Sequence, residues 1–278
     1  MYPYLIRIGE LSIPAYPFLY GLGIALAGGV LMYLGHREGL DVRKLNHLVL
    51  LLAFSALIGG RAFYVIHFRH EFVGHWGQAF DLSQGGQVIY GGLLLGTGTI
   101  LLYSRAARLP VRTVFDLTAV VAPLGIAVGR LACFCRGCCY GRLTELPWGV
   151  CFPVHMSQTG EIVGSPAFLD HAQRGLVSKA ALHSLPVHPV QLYSSAMMLI
   201  LFGVMLLVWR GGYLRGRLMF VFFGIYAVYR FWIEFLRVEP KVLGQLTAAQ
   251  VTGVVVLLVS LAVLCAPMVQ RWNKAGRT

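Results

Sequence analysis

Residues 190–209 read VQLYSSAMMLILFGVMLLVW, twenty positions without one charged side chain. A helix needs about 20 mostly apolar residues to cross the hydrocarbon core of a bilayer. This stretch is therefore predicted to be a membrane span, and six further stretches share its length and apolar character. The seven predicted spans are residues 16–35, 45–67, 88–104, 113–134, 190–209, 217–236 and 247–268.

The composition of the whole chain agrees with a membrane protein. Hydrophobic residues make up 57% of the 278 positions and charged residues 12%, whereas a soluble domain carries about 25% charged residues. The net charge of +12 lies mostly in short connections between apolar stretches, which argues against a nucleic-acid partner. We predict an all-α polytopic membrane protein with seven transmembrane helices, built as one domain over residues 1–278.

Basic residues mark one side of the predicted bundle. Three of them follow every second span: Arg37, Arg43 and Lys44, then Arg105, Arg108 and Arg112, then Arg210, Arg215 and Arg217, and finally Arg271, Lys274 and Arg277. Short loops rich in lysine and arginine stay in the cytoplasm. The N-terminus is therefore expected outside and the C-terminus inside. Residues 1–10 lack the pattern of a cleavable signal peptide, so we expect the first span to be retained.

The connection after the fourth span is much longer than the others. Residues 135–189 contain five prolines, at 147, 153, 166, 186 and 189. Connections longer than about 12–15 residues in a compact protein are usually functional or disordered. Apolar motifs such as Pro147-Trp148-Gly149 are unlike a solvated linker. We therefore expect a small folded cap on the external side, between the fourth and fifth spans.

Four arginines lie inside or at the edge of apolar stretches: Arg61, Arg130, Arg230 and Arg237. A guanidinium at bilayer depth costs a few kcal/mol, roughly, on insertion scales, and its planar fork matches a carboxylate or a phosphate. Glu234 lies four residues after Arg230, on the same helical face. Two interpretations stay open: an internal ion pair that fixes helix packing, or arginines held by Glu234 for an anionic ligand such as a lipid phosphate.

A second group of candidates combines small and polar residues. Gly91 and Gly92 follow Tyr90, where they would let backbone approach a lipid, although small residues also serve plain helix packing. Tyr90 is a candidate acid or base. Tyr20 and His188 are candidate substrate-binding residues, with packing and helix capping as their respective alternatives.

The cysteines are concentrated at the end of the fourth span. Cys133, Cys135, Cys138 and Cys139 fall within seven residues. Cys135 and Cys138 have the C-x2-C spacing of zinc or redox sites, but no second such pair exists in the sequence. Packing thiols, a disulfide and a metal or redox function all stay open, and the spacing alone assigns no metal site.

Several motifs, in order along most of the chain, resemble the bacterial phosphatidylglycerol–prolipoprotein diacylglyceryl transferases. They are Tyr20-Gly21, Gly59-Gly60-Arg61, Tyr90-Gly91-Gly92, Gly129-Arg130, Tyr140-Gly141-Arg142, Leu146-Pro147-Trp148-Gly149, Phe152-Pro153, His188 to Tyr193, and Tyr229-Arg230 to Glu239-Pro240. The resemblance implies a seven-span inner-membrane enzyme that moves a diacylglyceryl group from phosphatidylglycerol to the lipobox cysteine of a prolipoprotein. It implies important roles for Arg130, Gly141, Arg230 and Glu234, and no cofactor.

The chain departs from the family pattern at several of these positions. Ala132-Cys133-Phe134 and Arg136-Gly137-Cys138 stand where the family has Gly-Asn-Phe and Asn-Gly-Glu; Tyr90 replaces a frequent histidine, and Ser194 a glutamate. We therefore keep two alternatives: a transferase with a different acceptor, and a non-catalytic phospholipid-binding membrane protein.

The resemblance also suggests a mechanism. The acceptor thiolate attacks the glycerol carbon that bears the phosphate ester, and Arg130 and Arg230 stabilise the departing phosphate. Glu234 orients Arg230, and Arg237 supports the headgroup. Tyr90 is the positional candidate for the base that takes the thiol proton, with His188 as a second candidate.

Overall fold

The computed structural model describes residues 4–8, 11–80, 89–156, 162–239 and 241–275. The helices of this part of the chain are α1 (Ala15–Arg37), α2 (Val42–His67), α3 (Ile89–Ala106), α4 (Val111–Arg136), α5 (Pro166–Gln173), α6 (Val190–Arg210), α7 (Leu218–Ile233) and α8 (Ala248–Ala275). Short antiparallel hairpins pair β1 (Tyr4–Ile8) with β2 (Leu11–Pro14), β3 (Val154–Met156) with β4 (Ile162–Gly164), and β5 (Lys241–Leu243) with β6 (Leu246–Thr247).

Six helices of the described part are long and apolar enough to cross a membrane: α1, α2, α4, α6, the α7 segment extended to Leu236, and α8 as far as Ala266. The predicted all-α polytopic class is thereby confirmed. The third predicted span, residues 88–104, corresponds to α3, which begins directly after the undescribed residues 81–88. The count of seven spans therefore stays a prediction.

The chain divides into two compact units, and the first comprises Ala27–Val121. Its centre is the close packing of α2 against α3. A Cβ added to Gly91 would overlap the carbonyl oxygen of Gly59, so the two backbones meet at a distance that only glycine allows. The Ser55 and Thr99 hydroxyls share a hydrogen bond of 2.6 Å across the same helix pair. Small residues at a helix crossing are a common packing device in membranes.

The second unit comprises Met1–Leu26 and Ala122–Thr278. In it, α7 packs against α8 and continues as a 3-10 turn, Glu234–Leu236. The N-terminal part of α1 lies against α4, where a Cβ on Gly23 would come within 3.1 Å of the Gly125 carbonyl oxygen. The predicted span at 190–209 is α6, Val190–Arg210, and Pro189 precedes it as expected for a helix start.

The connection between α4 and α6, residues 137–189, is folded around its own apolar cluster. Phe152, Ala167 and Val187 are buried there. Ser165 caps α5, because its hydroxyl accepts a hydrogen bond from the Phe168 amide at 3.2 Å. Val187 bridges to both Leu143 and Val150. This segment, the cap, brings the residues after α4 back to the start of α6; its location on the external side stays a prediction.

Candidate functional site

A single buried carboxylate organises the end of α7. Glu234, only 2% exposed, forms an ion pair with Arg230, one helical turn earlier. Its Oε2 also lies 3.6 Å from Nε of Arg237. The other oxygen, Oε1, accepts a hydrogen bond of 2.9 Å from the Thr247 hydroxyl. Glu234 thus holds two guanidinium groups in a fixed arrangement.

The start of α8 supports this carboxylate. Gln250, 2% exposed, accepts from the Thr247 amide at 3.0 Å and donates to the Phe231 carbonyl at 3.3 Å. Thr247 is consequently fixed between Glu234 and Gln250. This clamp joins α7 to α8 and holds Glu234 in place.

Arg130 approaches the same group of cations from α4. Its guanidinium lies within electrostatic range of the Tyr226 and Tyr229 hydroxyls on α7 and of Arg237, which it repels. Tyr229 in turn interacts with both Arg130 and Arg230 and donates a hydrogen bond of 2.5 Å to Ser194 on α6. Three helices therefore bring their polar side chains to one place.

The positive charges of this cluster exceed the negative ones. Arg237 donates to Glu239 at 2.6 Å, but Glu239 is exposed. Within the ranges that the structure describes, no side chain or carbonyl accepts a hydrogen bond or ion pair from Arg130. A partly buried guanidinium without an acceptor favours an anionic ligand, because an unpaired charge away from water is costly.

Gly141 ties the cap to the end of α7. Its amide donates to the His188 carbonyl at 3.0 Å, and it bridges to Arg237. A Cβ at this position would lie 2.6 Å from the Leu236 carbonyl oxygen and 2.7 Å from Cβ of His188. Only glycine fits where these three backbone segments meet. The importance implied by the family resemblance thus has a steric explanation.

The end of α4 gathers three thiols. Gly137 has φ +75°, its amide donates to the Phe134 carbonyl at 3.1 Å, and the Cys138 amide donates back to the Cys133 carbonyl at 3.2 Å. This pattern is a Schellman turn, which reverses the chain after a helix. The sulfurs of Cys133, Cys138 and Cys139 consequently lie within 4.8 Å of one another. All three thiols are free.

The arginines lie next to these thiols. Arg237 donates to the Cys139 carbonyl at 3.4 Å, and Arg130 is within electrostatic range of Cys133 and Cys139. Hydrogen bonds from the Cys133 and Cys138 thiols lower the pKa of Cys139, and Arg237 and Arg130 act in the same direction. Hydrogen bonds with the Cys133 and Cys139 thiols raise the pKa of Cys138.

His188 and Gln191 contribute two buried atoms without partners among the described residues. Nδ1 of His188 has no hydrogen bond, and neither has Oε1 of Gln191. The Gln191 amide nitrogen donates to the Cys138 carbonyl at 2.8 Å. The His188 ring meets Tyr193 edge to face, with ring centroids 6.3 Å apart. His188 therefore lies close to Gly141 with a ring nitrogen that has no partner among the described residues.

Arg61 belongs to the unit Ala27–Val121 and has its own partners. It is 7% exposed, donates to the Ala79 carbonyl at 2.8 Å and to the Gln78 carbonyl at 2.6 Å, and lies over the Tyr64 ring. These contacts fasten the 3-10 segment Trp76–Phe80 to α2. The substrate-binding role predicted for Arg61 is untested.

Three further predicted residues lie on α3 in the same unit. Gly91 packs against Gly59, and a Cβ on Gly92 would lie 3.2 Å from the Ala56 carbonyl oxygen. Both contacts fit the helix-packing alternative, and the lipid-binding role remains a prediction. Tyr90 is in the first turn of α3, but its side chain lies outside the described residues, so its predicted catalytic role is untested.

Tyr20, on α1, lies near the thiols at the end of α4. It stacks on Tyr16, with ring centroids 6.3 Å apart, and interacts electrostatically with Cys133. Arg136 lies over the Tyr16 ring at 5.2 Å. Tyr20 as a whole is 39% exposed, so part of its side chain is accessible; its predicted substrate-binding role is untested.

Two features of the site had no counterpart in the sequence prediction. Tyr229 and Ser194 form the hydrogen bond that joins α7 to α6. The thiols that meet are Cys133, Cys138 and Cys139, and not the pair Cys135 and Cys138, whose C-x2-C spacing left packing, a disulfide and a metal or redox function open. Gly137 directly after an apolar helical stretch was the available signal for the second feature, because glycine there reverses the chain.

Comparison with known proteins gives a consistent result. The family model described as prolipoprotein diacylglyceryl transferase matches residues 3–266. The chain is 32% identical over 258 residues to the phosphatidylglycerol–prolipoprotein diacylglyceryl transferase of Bordetella bronchiseptica, covering 90% of this chain and 88% of that protein. The enzymes of the same name from Neisseria gonorrhoeae and Synechocystis are 31% identical over 257 residues and 28% over 266 residues. The match to the Neisseria protein covers 88% of this chain and 87% of that protein. The match to the Synechocystis protein covers 94% of this chain and 87% of that protein.

Proposed function

We propose that this chain, which belongs to the prolipoprotein diacylglyceryl transferase family, moves the diacylglyceryl group of phosphatidylglycerol to the lipobox cysteine of prolipoproteins. Membership makes it a bacterial membrane transferase that acts in the first step of lipoprotein maturation. The donor and acceptor are those that the names of its relatives state. The roles of individual residues rest on the geometry of the arginine cluster.

One observation carries the proposal. Arg230 and Arg237 meet at one buried carboxylate. Arg130 lies within electrostatic range of Arg237 and has no acceptor among the described residues. A phosphodiester supplies the missing negative charge and the oxygen atoms that guanidinium groups bind in pairs. Glu234 is then an orienting residue, because it fixes Arg230 and Arg237 and is itself buried.

These positions support the following chemical step. The acceptor thiolate forms a C–S bond at the glycerol carbon that carries the phosphate, and the C–O bond to that phosphate breaks. The electron pair of that bond leaves with glycerol phosphate, on which negative charge builds up. Arg130 and Arg230 stabilise that charge, a contribution of about 3–4 kcal/mol for one well-placed donor.

The base that takes the thiol proton has two candidates. Tyr90 is the candidate by motif position. His188 has a free Nδ1 and lies beside Gly141, which bridges to Arg237. An imidazole nitrogen without a partner can accept a proton directly, whereas a phenol first has to lose its own, which favours His188.

We also propose that the enzyme lies in the inner membrane, with its N-terminus outside and its C-terminus in the cytoplasm. The support is the placement of three basic residues after every second predicted span. A reporter that is active only outside the cytoplasm, fused after Thr278, should be silent. An active fusion would contradict this orientation.

A reconstituted assay tests the proposed activity. Purified protein, phosphatidylglycerol and a peptide with a lipobox cysteine should yield a peptide whose mass increases by one diacylglyceryl group at that cysteine. The same peptide with serine in place of the cysteine is the control and should gain no mass. A protein that binds phosphatidylglycerol but modifies no thiol would be a lipid-binding relative and would overturn the proposal.

A further inference from the structure

We propose that Cys133, Cys138 and Cys139 form a binding site for one thiophilic d10 cation, of the class of Zn²⁺ or Cu⁺. Such a site goes beyond the transfer reaction, because it gives a bound metal to a chain for which the sequence alone assigns none. The inference rests on the geometry of the three thiols and on the charges around them.

The geometry suits a cation of this class. The three sulfurs lie within 4.8 Å of one another. Around a cation with Zn–S bonds of about 2.3 Å, three sulfurs are about 4 Å apart. Small side-chain rotations would therefore bring the three sulfurs to the separation that the cation requires. Thiolates select soft cations such as Cu⁺ and Zn²⁺ over hard ones such as Mg²⁺.

The backbone holds the three thiols in place before any ligand binds. Cys133 is in the last turn of α4, and the turn at Gly137 returns Cys138 to it through the amide–carbonyl bond of 3.2 Å. Cys138 is held from α6 by Gln191, which donates to its carbonyl. Cys139 is held by Arg237 at 3.4 Å. Each ligand thus has its own support, which is typical of ordered metal sites.

The charges around the triad suit a metal–thiolate complex. Three thiolates around a monovalent or divalent cation make an anionic group. Arg130 and Arg237 both interact electrostatically with Cys139, so they would offset that charge. In the part of the chain that the structure describes, the cluster contains these three ligands and no carboxylate or histidine. A fourth position is therefore open to solvent or to another ligand.

Metal titration with matched variants tests the site. The full chain in detergent is reduced, freed of reductant and metal, and titrated without oxygen with Zn²⁺ alone and with Cu⁺ alone, against a competing chelator. We expect one cation per chain. Cys133→Ser, Cys138→Ser and Cys139→Ser should each weaken binding by more than about 100-fold, since even outer-shell changes cost about 10- to 100-fold. Cys135→Ser and Cys151→Ser should not weaken it.

Alkylation of the unmodified protein gives a second readout that requires no variant to fold. With the cation bound, mass spectrometry should find Cys133, Cys138 and Cys139 protected and Cys135, Cys151 and Cys265 labelled. Three results would overturn the proposal. They are metal binding that survives all three triad substitutions, an equal loss of metal affinity in Cys135→Ser, and equal labelling of all six cysteines. None of these readouts depends on transfer activity, so an inactive protein can still pass and an active one can still fail.

Discussion

Glu234 is one carboxylate with three partners. It pairs with Arg230, lies 3.6 Å from Arg237 and accepts from Thr247. The spacing of Arg230 and Glu234 predicts their contact, because residues four apart share a helix face. The approach of Arg130 to Arg237 could not be predicted in this way. It depends on the cap, which joins Gly141 to Arg237 across almost 100 positions of sequence.

A prediction at this scale concerns the orienting role of Glu234. Glu234→Gln keeps the size and the acceptor for Thr247 but removes the charge that fixes the two arginines. We expect kcat for diacylglyceryl transfer to fall on the order of 100-fold, since small errors of placement have effects of that size. The measurement is the steady-state rate of peptide modification.

Glu239→Gln is the matched control for Glu234→Gln. Glu239 also pairs with Arg237, at 2.6 Å, but it is exposed, and exposed ion pairs contribute little. We expect the transfer rate of Glu239→Gln to stay within a few-fold of that of the unmodified protein. An equal loss of transfer rate in the two variants would mean that the pairing of Arg237, rather than the buried carboxylate, determines the rate.

Individual elements were predicted well where hydropathy decides them. Residues 190–209 correspond to α6, Val190–Arg210, because an apolar helix in a membrane is delimited by its own composition. The thiol triad was not predicted, because the residues that meet depend on the turn at Gly137 rather than on linear spacing. The apolar cluster of the cap was predicted only as a folded segment, since its contacts join distant residues.

The packing of α2 against α3 gives a second prediction. Gly91→Ala places a Cβ against the Gly59 backbone, so we expect destabilisation of about 1–3 kcal/mol, as for other overpacked positions. Gly98→Ala in the same helix meets no atom within 4 Å and should be neutral. Thermal unfolding in detergent compares them. A Gly91→Ala protein of unchanged stability but raised KM for phosphatidylglycerol would instead support the lipid-binding role.

The cap gives a prediction of pH dependence. His171 is 3% exposed, accepts a hydrogen bond from the Leu185 amide at 3.2 Å and faces Tyr140. Burial lowers the pKa of His171, against the opposing effect of Asp170, while Arg174 acts in the same direction as burial. The unfolded segment then binds more protons than the folded one. Stability of the cap should be full above about pH 6.5, the ordinary value, and should fall as the pH drops below it.

Hydrogen exchange of α5, corrected for intrinsic rates, measures this effect between pH 7.5 and 5.5. Protection of residues 166–173 should decrease toward the acidic end of that range. In His171→Asn the side-chain oxygen can still accept from Leu185 but does not titrate, so protection should not change with pH. The same acid dependence in both proteins would assign the effect to another group.

At the scale of the whole molecule, composition and the charges of the connections predict a polytopic membrane protein, and six helices of sufficient length and hydropathy agree. Family membership agrees with the order of the motifs along the chain. The functional site, by contrast, combines α4, α6, α7 and the cap, none of which is complete alone. Tertiary packing decides which residues form the site, and this packing cannot be derived from the periodicity of the sequence.

The transfer rate of Arg130→Gln, compared with that of Arg136→Gln, tests the arginine cluster most directly. Arg136 ends the same helix and lies over the Tyr16 ring, so it controls for loss of a cation from α4. If Arg130 binds the departing phosphate, Arg130→Gln should lower kcat/KM by about 100- to 1,000-fold with an unchanged melting temperature, and Arg136→Gln should stay within a few-fold. Transfer by Arg130→Gln at the rate of the unmodified enzyme would contradict a phosphate site at this cluster.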